Sequence, residues 1–94
     1  MLEAVKRALR LTKNTYDAEL SALIAAAKAD LKISDIDSDV IDSETVDPLV
    51  QMAVITYCRM NFGSPADYDK LKASYENQKA QMITATGYGF EVIE

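Results

Sequence analysis

Apolar residues recur at helical spacing in four runs along the chain, and between the second and third runs that spacing fails. The first run, residues 2–10, sets Leu2, Val5 and Leu9 on one side and Lys6 and Arg10 on the other, which predicts a short helix. After the connector Leu11-Thr12-Lys13-Asn14, a second helix is expected, capped by Asn14 or Thr15 and running to about Leu31. Asp17 and Glu19 fall in its first turn, where the helix dipole favours negative charge. Leu20, Leu23, Ile24, Ala27 and Leu31 form its apolar stripe. Ala22, Ala25, Ala26 and Ala29 favour helix and let neighbours approach closely.

The third run, PLVQMAVITYCRMNF over 48–62, differs from the others. Its polar residues Gln51, Thr56, Arg59 and Asn61 are spread around the helix, with Met52, Ile55, Cys58 and Phe62 between them. An amphipathic surface helix would gather them on one side. A small core can cover only part of such a helix, so a second apolar surface is expected, and another copy of the chain is the simplest supplier. Asp47-Pro48 marks its start, an acceptor at the cap followed by a proline whose missing N–H does no harm there. Gly63 suits the left-handed residue that closes it.

Ser64-Pro65-Ala66-Asp67 repeats the start signal, so a fourth helix is expected from Pro65 to about Ala85, packed beside the third across a turn of about two residues. In it Tyr68, Leu71, Tyr75 and Met82 follow a 3-4-3-4 register, with Gln78 and Ala85 at the positions between. This stripe is expected to be divided between the subunit's core and a subunit or partner interface. Residues 87–94 form a short tail that is either disordered or docked on another chain, and its Tyr88 and Phe90, flanked by glycines, favour docking. The fold class is therefore all-α, with four helices in a single domain over residues 1–94. A short first helix precedes two central packed helices and a long fourth one.

Charge changes the picture at one place. Residues 33–47 read as a long loop that holds Asp35, Asp37, Asp39, Asp42, Glu44 and Asp47 without a base, although a short β-ribbon or one helical turn would also fit. The chain has ten basic and fifteen acidic residues, net −5, and without those six acids it is nearly neutral. A nucleic-acid reader shows a basic footprint, and this chain lacks one as a whole, so no sequence-specific nucleic-acid binding is expected. Asp35, Asp37 and Asp39 mimic the opening of a calcium loop, but Val40 and Val46 stand where an EF-hand needs Gly and Glu, so no metal is expected. The acids read instead as a solvated loop, or as a surface that repels DNA or docks a basic partner.

No catalytic constellation is present. The chain has no histidine, and Cys58 lies within the most apolar helix, where a core role is expected. Glycines 63, 87 and 89 match no phosphate-cradling pattern. Lys6, Arg10 and Lys13, with Arg7 beside them, are expected to form a solvated face opposite Leu2, Val5 and Leu9, the alternative being a contact to phosphate or an acidic partner. No apolar run is long enough to span a bilayer, and the charged N-terminal residues do not resemble a signal peptide. With a lone cysteine, the expectation is a non-enzymatic protein of a reducing compartment, without cofactor and without membrane contact.

LEAVKRALRLTKNTYDAELSALIAAAKADL resembles the opening of the small head–tail connector (adaptor) proteins of long-tailed bacteriophages and prophages. VQMAVITYCRMNFGSPADYDKLKASYENQKAQM is similar to the later part of that family, where an apolar helix ending in Tyr and Asn-Phe-Gly precedes a helix with Ser-Tyr and lysine. The order and lengths of the segments carry the likeness, which leaves out residues 33–47 and the tail. The resemblance implies a connector-type helical subunit of a homo-oligomeric ring, dodecameric as a rule, that sits below the portal protein and extends the DNA channel. One face would meet the portal, with the C-terminal part nearest to it, and the other a stopper or tail-completion protein. It also implies a place at the head–tail junction of the virion, with assembly in the cytoplasm of a bacterial host. The alternative reading is a small helical regulatory or antitoxin-like module that binds a basic protein through the acidic loop.

Overall fold

A computed structural model describes residues 1–34, 36–42, 47–63 and 65–84. Those residues form five helices and no strand: α1 (Leu2–Ala8), α2 (Asp17–Ile33), α3 (Ser38–Ile41), α4 (Pro48–Asn61) and α5 (Tyr68–Thr84). The all-α class stands, with one helix more than the four expected. The addition is α3, a single turn within the acidic loop. Asp37 starts it by accepting a hydrogen bond from the Asp39 amide at 2.9 Å, and buried Ile41 anchors it.

Helix α4 is the centre of the molecule. Tyr16, at the start of α2, meets Phe62, at the end of α4, edge to face at 5.2 Å, so α2 and α4 run antiparallel. Helix α5 then runs back along α4, where Tyr75 meets Tyr57 at 5.4 Å. Helix α1 lies across the end formed by the start of α2 and the finish of α4. Helix α3 lies against α2 towards its other end, because Lys32 pairs with Asp42 at 2.8 Å and the Ile36 amide bonds the Leu31 carbonyl. Val5, Leu20, Leu31, Ile36, Val50 and Val54 are fully buried in the common core.

Helix ends show where local signals held. Asp47 caps α4 as expected, its Oδ1 accepting from the Leu49 and Val50 amides at 2.9 and 3.2 Å, with Pro48 in the first turn. Gly63 takes the left-handed conformation, φ 73°, after the helix ends. Helix α2 starts differently from expectation. Its cap is Tyr16, with no side-chain bond, because the Asn14 carboxamide is taken by Lys6. Helix α5 also starts later, since Pro65–Asp67 are used in reversing the chain. Its first helical bond runs from the Leu71 amide to the Asp67 carbonyl.

The end of α1 holds a left-handed residue that no glycine marks. Arg10 sits at φ 59°, with its amide on the Arg7 carbonyl and the Leu11 amide on the Lys6 carbonyl. That pair of bonds is the Schellman closure, in which glycine is the usual occupant.

Candidate interaction surfaces

The polar residues of α4 do not need a polar face of their own. Thr56 is buried and turns its hydroxyl back onto the Met52 carbonyl at 2.9 Å. Asn61 does the same to Tyr57 at 2.9 Å, and Arg59 reaches the Ala8 carbonyl at 3.2 Å, tying α1 to α4. Helices α1, α2 and α5 therefore cover most of α4, and buried Cys58 has its thiol pushed up to about 11 by desolvation. The exposed large apolar side chains of α4 are in its first two turns, Leu49 at 40% and Met52 at 56%, and Arg59 and Asn61 are exposed in the last.

The α5 stripe splits along its length. Tyr75 and Met82 are buried inside the subunit, Leu71 is half-buried, and Tyr68 is exposed. The Tyr75 hydroxyl donates to Asp30 Oδ2 of α2 at 2.5 Å, and Lys79 Nζ reaches the same oxygen at 3.1 Å while lying 4.9 Å from the Tyr75 ring centroid. Burial first, and then the Asp30 hydrogen bond, hold the Tyr75 phenol far above its ordinary value. Tyr75 and Met82 are thus committed to their own chain, and the part of the stripe left for a neighbour is Tyr68 with the edge of Leu71. Tyr88 and Phe90 lie outside the described residues, as do Asp35 and Glu44.

Large apolar side chains left exposed collect at the two ends of the bundle. Among the described residues, Ile33, Leu49, Met52 and Ile83 lie at the end where α2 and α5 finish and α4 begins. Tyr16 and Tyr68 lie at the opposite end. Sequence reasoning named Tyr68 and expected uncovered apolar surface on the 48–62 helix, where Leu49 and Met52 lie, but missed Tyr16, Ile33 and Ile83. Leu49 and Met52 carry a faint signal, because they stand off the Val50–Ala53–Val54 face that α4 buries. Ile33 is the last residue of α2 and reads in sequence as part of the loop.

The end of the bundle at α1 carries basic groups, but not in the expected pattern. Lys6 is not part of a solvated face: it is buried, donates to Asn14 Oδ1 at 2.7 Å, and meets Asp17 Oδ1 at 3.0 Å. The Asp17 contact lacks hydrogen-bond geometry, and that buried oxygen has no other hydrogen-bond partner. The reason is steric, since the closure of α1 at Arg10 swings the connector back over the Lys6 side chain. Arg7, Arg10 and Lys13 remain exposed. Arg10 stands between two depressions. One, about 360 Å³, is lined by Leu9, Arg10, Arg59, Phe62, Asp67 and Leu71, among others. The other, about 390 Å³, includes Arg10, Leu11, Lys13 and Tyr16 in its lining.

The far end is acidic. Asp37, Asp39, Asp42 and Asp47 surround α3 and the start of α4. Lys32 holds the Asp42 carboxyl below its usual range through their hydrogen bond. Among the described residues no cluster of side chains could hold a metal ion, and no helix is long and apolar enough to cross a membrane.

The family described as phage connector protein matches residues 1–89. The chain belongs to that family. No curated protein and no solved structure matches it. The chain is thus an all-helical member of the phage connector protein family.

Proposed function

We propose that this connector subunit is one copy of a ring below the portal of a bacteriophage, where it joins the DNA-filled head to the tail and extends the DNA channel. The observation that supports the reading most is the placement of the exposed apolar residues at two separate ends of the bundle. A contact between two unlike surfaces, repeated around an axis, closes into a ring, whereas a self-complementary patch gives a dimer. Ring subunits therefore need two distinct sticky surfaces. Family membership favours this reading over the helical regulator, and the subunit number that goes with it is twelve, as the resemblance implies.

One face of the ring would receive the portal protein and the other a stopper or tail-completion protein. The role is structural: position and complementarity, with no bond made or broken. A net charge of −5 suits a conduit, because DNA that has to slide should find few cations that neutralise its phosphates. The subunit would be made in the bacterial cytoplasm and end at the head–tail junction of the virion. Mixing the full chain with the portal protein of the same phage, followed by mass photometry and negative-stain microscopy, tests this. The expected product is a portal with an added multi-copy ring. A subunit that ignores the portal at every concentration, or binds it as a single copy, would remove the proposal.

A further inference from the structure

We infer that the basic, partly apolar cleft beside Arg10 is the seat for the acidic α3 end of a second copy of this chain. The inference rests on the ring reading above and names the surfaces that would meet. The cleft lies where α1 ends, α4 finishes and α5 begins, and Leu9, Phe62 and Leu71 line it together with Arg10 and Arg59. Asp67 also lines it, and Arg7 and Lys13 add exposed positive charge nearby. Exposed Tyr16 and Tyr68 stand at the same end.

The matching element is on the same chain but out of its own reach. Helix α2 has 17 residues, and it separates the two ends by about 25 Å at the helical rise. Lys6 and Asp17 fasten α1 at its start, and Lys32 and Asp42 fasten α3 at its finish. No subunit can therefore place its own α3 in its own cleft. The acidic end presents Asp39 and Asp42, with Ile33 at 81% exposure, Leu49 and Ile83 around it. Opposite charge and uncovered apolar surface are paired at both ends, so copies fit head to tail. The apolar residues supply attraction, while the charges fix orientation and disfavour head-to-head pairing, where like charges would meet.

Charge reversal with complementation tests this directly. Arg10→Glu with Lys13→Glu makes both ends acidic, and Asp39→Lys reverses the exposed charge on α3 while leaving the Lys32–Asp42 pair in place. Arg10, Lys13 and Asp39 are exposed, so the fold should persist, and circular dichroism with a thermal melt checks that it does. Each variant alone, mixed with the portal protein, should give at least about tenfold less ring than the parent, because like charges now face each other. An equimolar mixture of the two should restore the ring, since each contact then joins opposite charges. Parent assembly should also weaken as salt is raised. Folded variants that each assemble as the parent does would overturn the inference, and so would a mixture that fails to restore the ring. Both outcomes would leave the ring reading standing. A parent that forms no multi-copy species on the portal removes the ring reading itself, and this inference with it.

Discussion

Helices α4 and α5 lie side by side, yet they are held by different forces. Helix α4 buries Val50, Ala53, Val54 and Cys58 completely and satisfies Thr56, Arg59 and Asn61 on backbone carbonyls. Helix α5 buries only Tyr75 and Met82 among its seventeen residues and relies on Asp30 to grip Tyr75 and Lys79. It also carries a Gln78 side-chain oxygen that has no hydrogen-bond partner among the described residues. The irregular helix is the central one, because apolar residues all round its axis can be covered by several neighbours at once. The helix with the regular stripe is an edge element, and of that stripe only Tyr75 and Met82 are buried against its own chain.

The largest effect should come from putting a charge into α4. Val54→Asp buries an unpaired carboxylate where no partner stands and should cost more than about 4 kcal/mol, leaving no cooperative thermal transition. A variant that still melts near the parent would show that α4 is not the central helix. Met82→Ala in α5 should cost about 2–4 kcal/mol by urea denaturation, since it empties a well-buried site. A loss as large as that of Val54→Asp would erase the distinction between the helices.

Tyr75→Phe comes next, at about 1–2 kcal/mol. It removes one hydrogen bond but leaves Asp30 with Lys79. The same site sets a pH dependence of known sign. The Tyr75 phenol is raised, and for Lys79 burial alone would lower the ammonium, but the Asp30 and Glu76 contacts outweigh it and raise it. Both groups keep their protons in the folded chain at pH values where the unfolded chain has lost them. Their contribution is therefore complete below the unfolded values, about pH 10, and declines as pH rises beyond that. In Tyr75→Phe the decline above pH 10 should be shallower than in the parent, and an unchanged slope would show that the phenol does not govern it.

The smallest expected effect belongs to the start of α4. Asp47→Ala frees the Leu49 and Val50 amides from their shared acceptor and should cost about 1 kcal/mol in a thermal melt. A larger loss would mean that the cap, and not side-chain burial, sets the stability of the central helix.

Sequence reading recovers the elements more completely than the surfaces. Asp47-Pro48 and Gly63 mark the limits of α4 because caps are local: the bonding groups lie within three residues of each other. The same local logic failed at Asn14, whose side chain is claimed by Lys6, eight residues earlier. It failed again at Arg10, since the end of α1 is closed by a residue that ordinarily avoids the left-handed region. Of the six apolar residues expected at an interface, Tyr75 and Met82 are buried within their own chain. A register of 3-4-3-4 reports that one face is apolar, but not whose surface covers it. Ile33 and Ile83 were missed for the converse reason, as nothing in the order of residues says that three helix ends converge at one place, where Leu49 and Met52 of α4 also lie.

By itself, the order of residues determined that this protein is helical, where its long helices lie, that six acids are concentrated between the second and third apolar runs, and which family it resembles. Those properties depend on spacing and on bonds between near neighbours. The tertiary structure decided which helix is central, that Lys6 is an internal strut, and that basic and acidic charge stand at opposite ends of one bundle. The physical reason is that burial and field depend on which distant segments meet, and the antiparallel run of α2, α4 and α5 settles that.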